Sequence, residues 1–293
     1  MLLKSEKSLG LKAIVWKGSM PGFTSARPAT LSSGTGQLSS RPAAAAVPQR
    51  GAWPVSRAAQ RAAPPIAAQC AAPPRQPVHP ATMMKMTTEG PLGGEDWPVD
   101  RRITQLAVMN EKEVVGCTKC KLNSTRIQTV FGEGSPEAKL FFIGEGPGES
   151  EDQSGRPFVG RAGQLLTKMI GAMGLAREQV FIANIVKCRP PGNRTPAPDE
   201  VEACTPYLVR QLETIRPLVI VTLGLPATQY MLQSDQPMRS LRGIWHQWRG
   251  IKLMPTYHPS YVLRSYTPEV RGAVWSDLQK VMQELGLTAK GGM

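Results

Sequence analysis

The sequence contains no run of 18 apolar residues, so nothing in it reads as a membrane-crossing helix. No secretory leader is expected, which removes the usual setting for a disulfide framework and turns the five cysteines toward ligation. Histidine is scarce: His79, His246 and His258 are the whole supply, and none lies close in sequence to a folded-part cysteine. Two phosphate-binding signatures also fail. Gly155-Arg156-Pro157-Phe158-Val159-Gly160 has the glycine spacing of a P-loop but lacks the Lys-Ser/Thr pair that holds phosphate and magnesium, which excludes NTP hydrolysis. A dinucleotide fingerprint counted from Gly144 would need a third glycine where the chain has Glu149. There is no internal repeat.

What is present divides into two parts. The chain has 293 residues and a formal net charge of +13. Residues 1–99 carry eleven Lys/Arg against four Asp/Glu, a net charge of +7, in an Ala-, Pro-, Ser- and Arg-rich setting. Few of them are aromatic or β-branched, so the segment cannot bury enough apolar surface to offset its chain entropy, and disorder is expected. Its basic, acid-poor character resembles a transit peptide; the preferred expectation is a start at Met83, Met84 or Met86. Cys70 falls here and is taken as incidental. Residues 100–293, about 190 of them, suffice for one domain with a sizeable core.

In that second part four apolar, β-branched runs stand out, at 138–144, 180–186, 218–223 and 251–257. Their near-continuous apolarity suits strands covered on both faces. Helical patterns separate them, at 161–174, 198–215 and 270–286. The alternation predicts an α/β fold: an αβα sandwich around a central four-stranded, mainly parallel sheet. Ligands in such folds bind beyond the strand C-terminal ends. Glu145, Asn184, Gly224 and His258 each fall at one of those ends.

Cys117-Thr118-Lys119-Cys120 places two thiols on one turn, while Cys188 and Cys204 lie far downstream. Four cysteines without a nearby histidine fit a [4Fe–4S] cluster or an all-cysteine zinc site. Zinc sites more often pair two tight Cys-x-x-Cys knuckles, and only one is present, which favours iron–sulfur. Four buried, unligated cysteines are the alternative. Between the cysteines, Gly144-Glu145-Gly146-Pro147-Gly148 follows a strand, and Phe158 stands near a helix start, where an aromatic can stack on a base or simply join the core.

In this order the motifs resemble those of the family 4 uracil-DNA glycosylases, the iron–sulfur branch of the uracil-DNA glycosylase superfamily. The resemblance covers roughly residues 105–287. It rests on Cys117-x-x-Cys120, the run from Gly144 to Asp152, Gly155-Arg-Pro-Phe-Val-Gly160, Asn184-Ile-Val-Lys-Cys-Arg-Pro-Pro191, Cys204 and His258-Pro-Ser260. It implies a hydrolase that releases uracil from DNA, with uracil-containing DNA as partner, acting as a monomer in the cytoplasm. It implies that Cys117, Cys120, Cys188 and Cys204 ligate a [4Fe–4S] cluster. Phe158 would stack on the flipped uracil, Asn184 would read its Watson–Crick edge, and His258 would sit at O2. Glu145 and Gly146 would line the pocket.

One departure from the superfamily matters. In family 1, a carboxylate that helps position water stands at the second residue after the first glycine of this turn; here that residue is Gly146. Glu145 is then the nearest carboxylate candidate for a catalytic role beside His258. Arg264, with Lys187, Arg189 and Arg194 beside Cys188, would suit phosphate contacts. Residues 188–198 contain no histidine, which argues against a covalently trapping uracil-binding relative. A reading of a different class, an iron–sulfur nucleic-acid-binding or redox-sensing protein without turnover, stays open because of Gly146.

Overall fold

A computed structural model describes Leu92 and residues 96–288. The expectation of disorder over 1–99 therefore lies outside the described residues, apart from Leu92 and the last four.

The four expected strands are present as β2 (Leu140–Gly144), β3 (Phe181–Asn184), β4 (Val219–Leu223) and β6 (Ile251–Thr256). They are mutually parallel in the order β3-β2-β4-β6 and form the centre of the sheet. Two short antiparallel edge strands extend it to six: β1 (Glu133–Gly134) beside β3, and β5 (His246–Trp248) beside β6. Neither edge was legible as a hydrophobic run. β1 has two residues, and β5 is one arm of a hairpin whose loop is Arg249-Gly250, with φ of 46° and 84°. Two positive φ values in a two-residue loop match the twist of the flanking strands.

Side-chain alternation along each buried strand feeds two separate cores. Phe141, Ile143, Phe181, Ala183, Ile220 and Leu253 face α1 (Val99–Met109), α4 (Pro198–Ile215) and α5 (Leu225–Leu232). Leu140, Phe142, Ile182, Val221 and Met254 face α3 (Arg161–Ala172) and α8 (Pro268–Glu284). The result is the expected αβα layering, with every residue of β2, β3 and β4 buried. The helix expected at 198–215 has those bounds; its Pro198 occupies the first turn, where the missing N–H costs nothing. α2 (Glu149–Ser154), α6 (Met238–Leu241) and α7 (Pro259–Arg264) are too short for a helical period to show in sequence.

Winding runs outward from β2 to β3, then crosses back to β4 and on to β6. Such a reversal opens a crevice at the strand C-terminal ends, where the segments after β2, β3, β4 and β6 meet.

Candidate active site and cysteine cavity

Gly144, the last residue of β2, pairs in register with Asn184, the last of β3. A Cβ at position 144 would lie 2.3 Å from Asn184 Oδ1 and 2.6 Å from Phe158 Cζ, so only glycine lets both side chains close over the strand end. Phe158 in turn lies against His258, ring centroids 5.6 Å apart. On the far side, Gly224 after β4 takes a φ of +88°, and a Cβ there would lie 2.9 Å from His258 Cβ. Three of the site residues expected from sequence (Phe158, Asn184 and His258) are thus brought together over the sheet.

Asn184 is 1% exposed, and its Oδ1 is buried without a hydrogen-bond partner. An orphaned buried acceptor costs about 1–3 kcal/mol, and it marks a place where something outside the chain completes the bond.

His258 is half-buried and caps α7. Its Nδ1 accepts from the Ser260 backbone N–H at 3.1 Å and lies 2.7 Å from Ser260 Oγ. A ring nitrogen that accepts an amide N–H carries no proton, so the neutral ring bears its proton on Nε2. Burial, aided by the positive charge of Arg264 and opposed by Glu151, pushes the His258 pKa down to about 4. The ring is a neutral Nε2–H donor at physiological pH.

Glu151 holds the two glycine-rich turns together. Its Oε1 accepts from the N–H groups of Val159 and Gly160, both at 2.8 Å, and its Oε2 accepts from Gly148 N at 3.1 Å. These bonds fix the segment that carries Phe158, whose φ is +50°. A non-glycine residue there is strained by about 1–3 kcal/mol and persists only when its surroundings over-determine it. From the other side, Glu133 pairs with Arg177, and Arg177 donates to Pro157 O at 2.5 Å. Glu145 is half-buried in the turn after β2. Gly146 packs against buried Val186, whose Cγ2 a Cβ would approach to 2.9 Å, so a side chain there would require Val186 to shift.

The second constellation is the cysteine cavity. Cys117, Cys120, Cys188 and Cys204 line one cavity with Arg126 and Tyr207. None is in a disulfide, and Cys188 and Cys204 are buried. Hydrogen-bond donors already reach the sulfurs: Arg126 Nη1 to Cys188 at 3.2 Å, the Lys187 backbone N–H to Cys204 at 3.2 Å, and Tyr207 Oη to Cys117 at 3.5 Å. Burial pushes the Cys204 thiol up to about 12 and raises Cys120 and Cys188 as well. Among the described residues, no three His, Cys, Asp or Glu side chains are grouped closely enough to hold one metal ion.

The basic cluster expected at phosphates is rearranged. Lys187 is 1% exposed, so it points into the protein and not toward a DNA backbone. Arg194 is bound by Glu200 through two bonds of 2.8 and 2.6 Å at the start of α4, and Arg189 bonds Asn193 Oδ1 at 2.8 Å. Arg264 is exposed at the end of α7, as expected. Glu151 and Gln211 were missed, and Lys187 was read only as a phosphate contact. A Glu three residues after Gly148 is a capping signal, but nothing local reveals its second grip on residues 159–160.

Residues 131–279 match the model of the uracil DNA glycosylase superfamily. A type-4 uracil-DNA glycosylase of Sulfurisphaera tokodaii is 47% identical over 189 residues, which cover 61% of this chain and 84% of that protein. One of Thermotoga maritima is 46% identical over 178 residues, 60% of this chain and 93% of the relative. One of Saccharolobus solfataricus is 49% identical over 182 residues, 59% and 83%.

Proposed function

The chain belongs to the uracil DNA glycosylase superfamily, and from that premise we propose that it is a type-4 uracil-DNA glycosylase. It hydrolyses the N-glycosidic bond of deoxyuridine in DNA, releasing uracil and leaving an abasic site for repair. A base inside a duplex stack is out of reach, so the nucleotide is flipped into the crevice first.

The observation that carries the site assignment is the unpartnered, buried Oδ1 of Asn184 beside Phe158 and His258. Uracil presents an N3–H donor and an O4 acceptor on its Watson–Crick edge. The Asn184 amide accepts from the first and donates to the second. Cytosine offers no N3–H and turns an amino group toward the amide donor, so it is rejected by unpaired polar groups. Phe158 supplies the stacking surface.

As the glycosidic bond breaks, the sugar gains oxocarbenium character and negative charge collects on uracil O2. His258 Nε2–H is the donor for that oxygen. The Nδ1 bonds fix its tautomer, and its neutrality means that it stabilises the uracil anion without first losing a charge. Glu145 is the carboxylate proposed to hold the attacking water, because the family 1 position is a glycine here, Gly146, and Glu145 is its neighbour. Arg264 is offered to the DNA backbone.

Cys117, Cys120, Cys188 and Cys204 are assigned to a [4Fe–4S] cluster, which supplies a cross-link between distant chain segments and no open coordination position for hydrolysis. Four thiols on one cavity, with N–H, guanidinium and phenol donors aimed at three of the sulfurs, support that fit. Iron in a brown protein is the expected finding, and colourless, zinc-loaded protein overturns it.

Incubation with single- and double-stranded oligonucleotides containing one uracil, followed by alkali, tests the activity. Strand scission at the uracil is expected. Iron-replete protein that produces none would leave the reading of a DNA-binding or redox-sensing protein without turnover.

A further inference from the structure

Between the two constellations lies a buried cation that neither uses. Lys187 is 1% exposed, and its Nζ donates to Asn184 O at 2.9 Å and to Gln211 Oε1 at 2.7 Å. Gln211, fully buried on α4, donates in turn to Phe131 O at 2.9 Å. The Lys187 backbone is held as well: its N–H reaches Cys204 Sγ at 3.2 Å, and its carbonyl accepts from Val130 N at 2.7 Å. One residue therefore touches the last residue of β3, the helix that carries Cys204, and Cys204 itself.

Both partners of the ammonium are neutral oxygens, and Lys187 is in none of the ion pairs among the described residues. Burying an ammonium on neutral partners is expensive, and an apolar side chain of similar length would fill the space at lower cost. The expense is explained by what the cation holds. Asn184 is the last register position of β3, and the peptide that follows it is held to β2 only at its N–H end, where Ile185 N donates to Gly144 O at 3.0 Å. The plane of its peptide sets the direction of its side chain, and Lys187 Nζ grips that peptide by the carbonyl.

We propose that Lys187 is a positioning residue for Asn184, tying the amide that reads the base to the cysteine-bearing helix α4. This rests on the assignment of Asn184 to the uracil edge. Lys187 touches no substrate; it acts by holding the Asn184 amide at the angle the base requires.

The test is a double-mutant cycle on the iron-loaded protein, with strand scission measured per folded, iron-containing molecule. Lys187→Met is expected to lower kcat/KM for uracil release by about ten- to a hundredfold, the size of a lost charge-assisted hydrogen bond. In an Asn184→Ala background the same substitution is expected to cost less than threefold, because the residue it positions is gone. Lys187→Gln, whose amide can still donate to Asn184 O, is expected to regain most of the loss, and Lys187→Leu, which also removes the donor, carries the cycle if Lys187→Met does not fold. Iron content and melting temperature are read alongside. Equal losses in both backgrounds overturn the proposal, as does a variant that loses iron while activity per iron is unchanged, since Lys187 would then serve only the cysteine cavity. Wild-type protein with no scission at all is a separate result and overturns the assignment of Asn184 itself.

Discussion

The pocket at the strand ends and the cysteine cavity are built in opposite senses. In the pocket the protein leaves a polar atom open: Asn184 Oδ1 is buried with no partner, while His258 has its donor nitrogen selected by the bonds on the other. In the cavity the protein's donors are already in place around three of the sulfurs, and Cys188 and Cys204 are buried. A site that turns over must bind and release, so it is rigid around an opening. A site that holds a permanent group can be closed around it. On the proposed assignments, the difference separates chemistry from scaffold within one sheet.

The largest expected effect falls on the pocket alone. His258→Ala removes the O2 donor and should lower kcat by about a hundred- to a thousandfold. Iron content should stay at the wild-type value and the melting temperature should fall by only about 2–4 °C, since the lost contacts are the Phe158 ring and a helix cap. Near-wild-type single-turnover rates would remove His258 from the chemistry. Cys204→Ser is the converse. It should lose iron and lower the melting temperature by roughly 10 °C, because the free energy of holding the group is folding free energy. If Cys204→Ser keeps its iron and its melting temperature, Cys204 is not a ligand and the comparison collapses.

A middle-sized effect is expected where the pocket is braced. Glu151→Gln keeps the shape of the side chain but replaces a carboxylate that accepts three backbone N–H groups with an amide that has one acceptor oxygen. The residues it releases hold Phe158 in its strained conformation, so KM for uracil-containing DNA should rise by about tenfold while iron content is unchanged. An unchanged KM would mean that Arg177 and Glu133 alone suffice to hold Pro157 and Phe158.

These braces are also where the sequence was least legible. Four buried strands read correctly because continuous apolarity is a local signal, and the site residues fell at their ends because parallel sheets put ligands there. The cysteines were found because thiol spacing is rare. Glu151, Lys187 and Gln211 give no such sign. In a sequence a Glu or a Lys is a solvated charge by default, and only the packing of residues far apart in the chain shows that Lys187 lies 24 residues from the Gln211 that binds it. The edge strand β5 failed for a different reason. Its hairpin turns on Arg249 at a φ of 46°, a conformation that arginine seldom adopts and that no composition rule would assign to it.

The smallest effect is the most specific to the pocket. Burial lowers the His258 pKa from 6.5 to about 4 in the fold, so the unfolded chain takes up a proton first as the pH falls. The ring therefore makes the fold progressively less stable between about pH 6.5 and pH 4, and contributes no such dependence above pH 6.5. The same shift keeps the O2 donor in its neutral form across that window, so the chemical step should show no inflection near 6.5. An NMR titration of the ring protons can follow each of the three histidines of the chain separately, with His258→Ala identifying the signal. A midpoint near 4 for His258 fits a preorganised neutral donor. A midpoint near 6.5 would put the ring in water, and a pocket whose donor is hydrated in the free protein would have to form on binding.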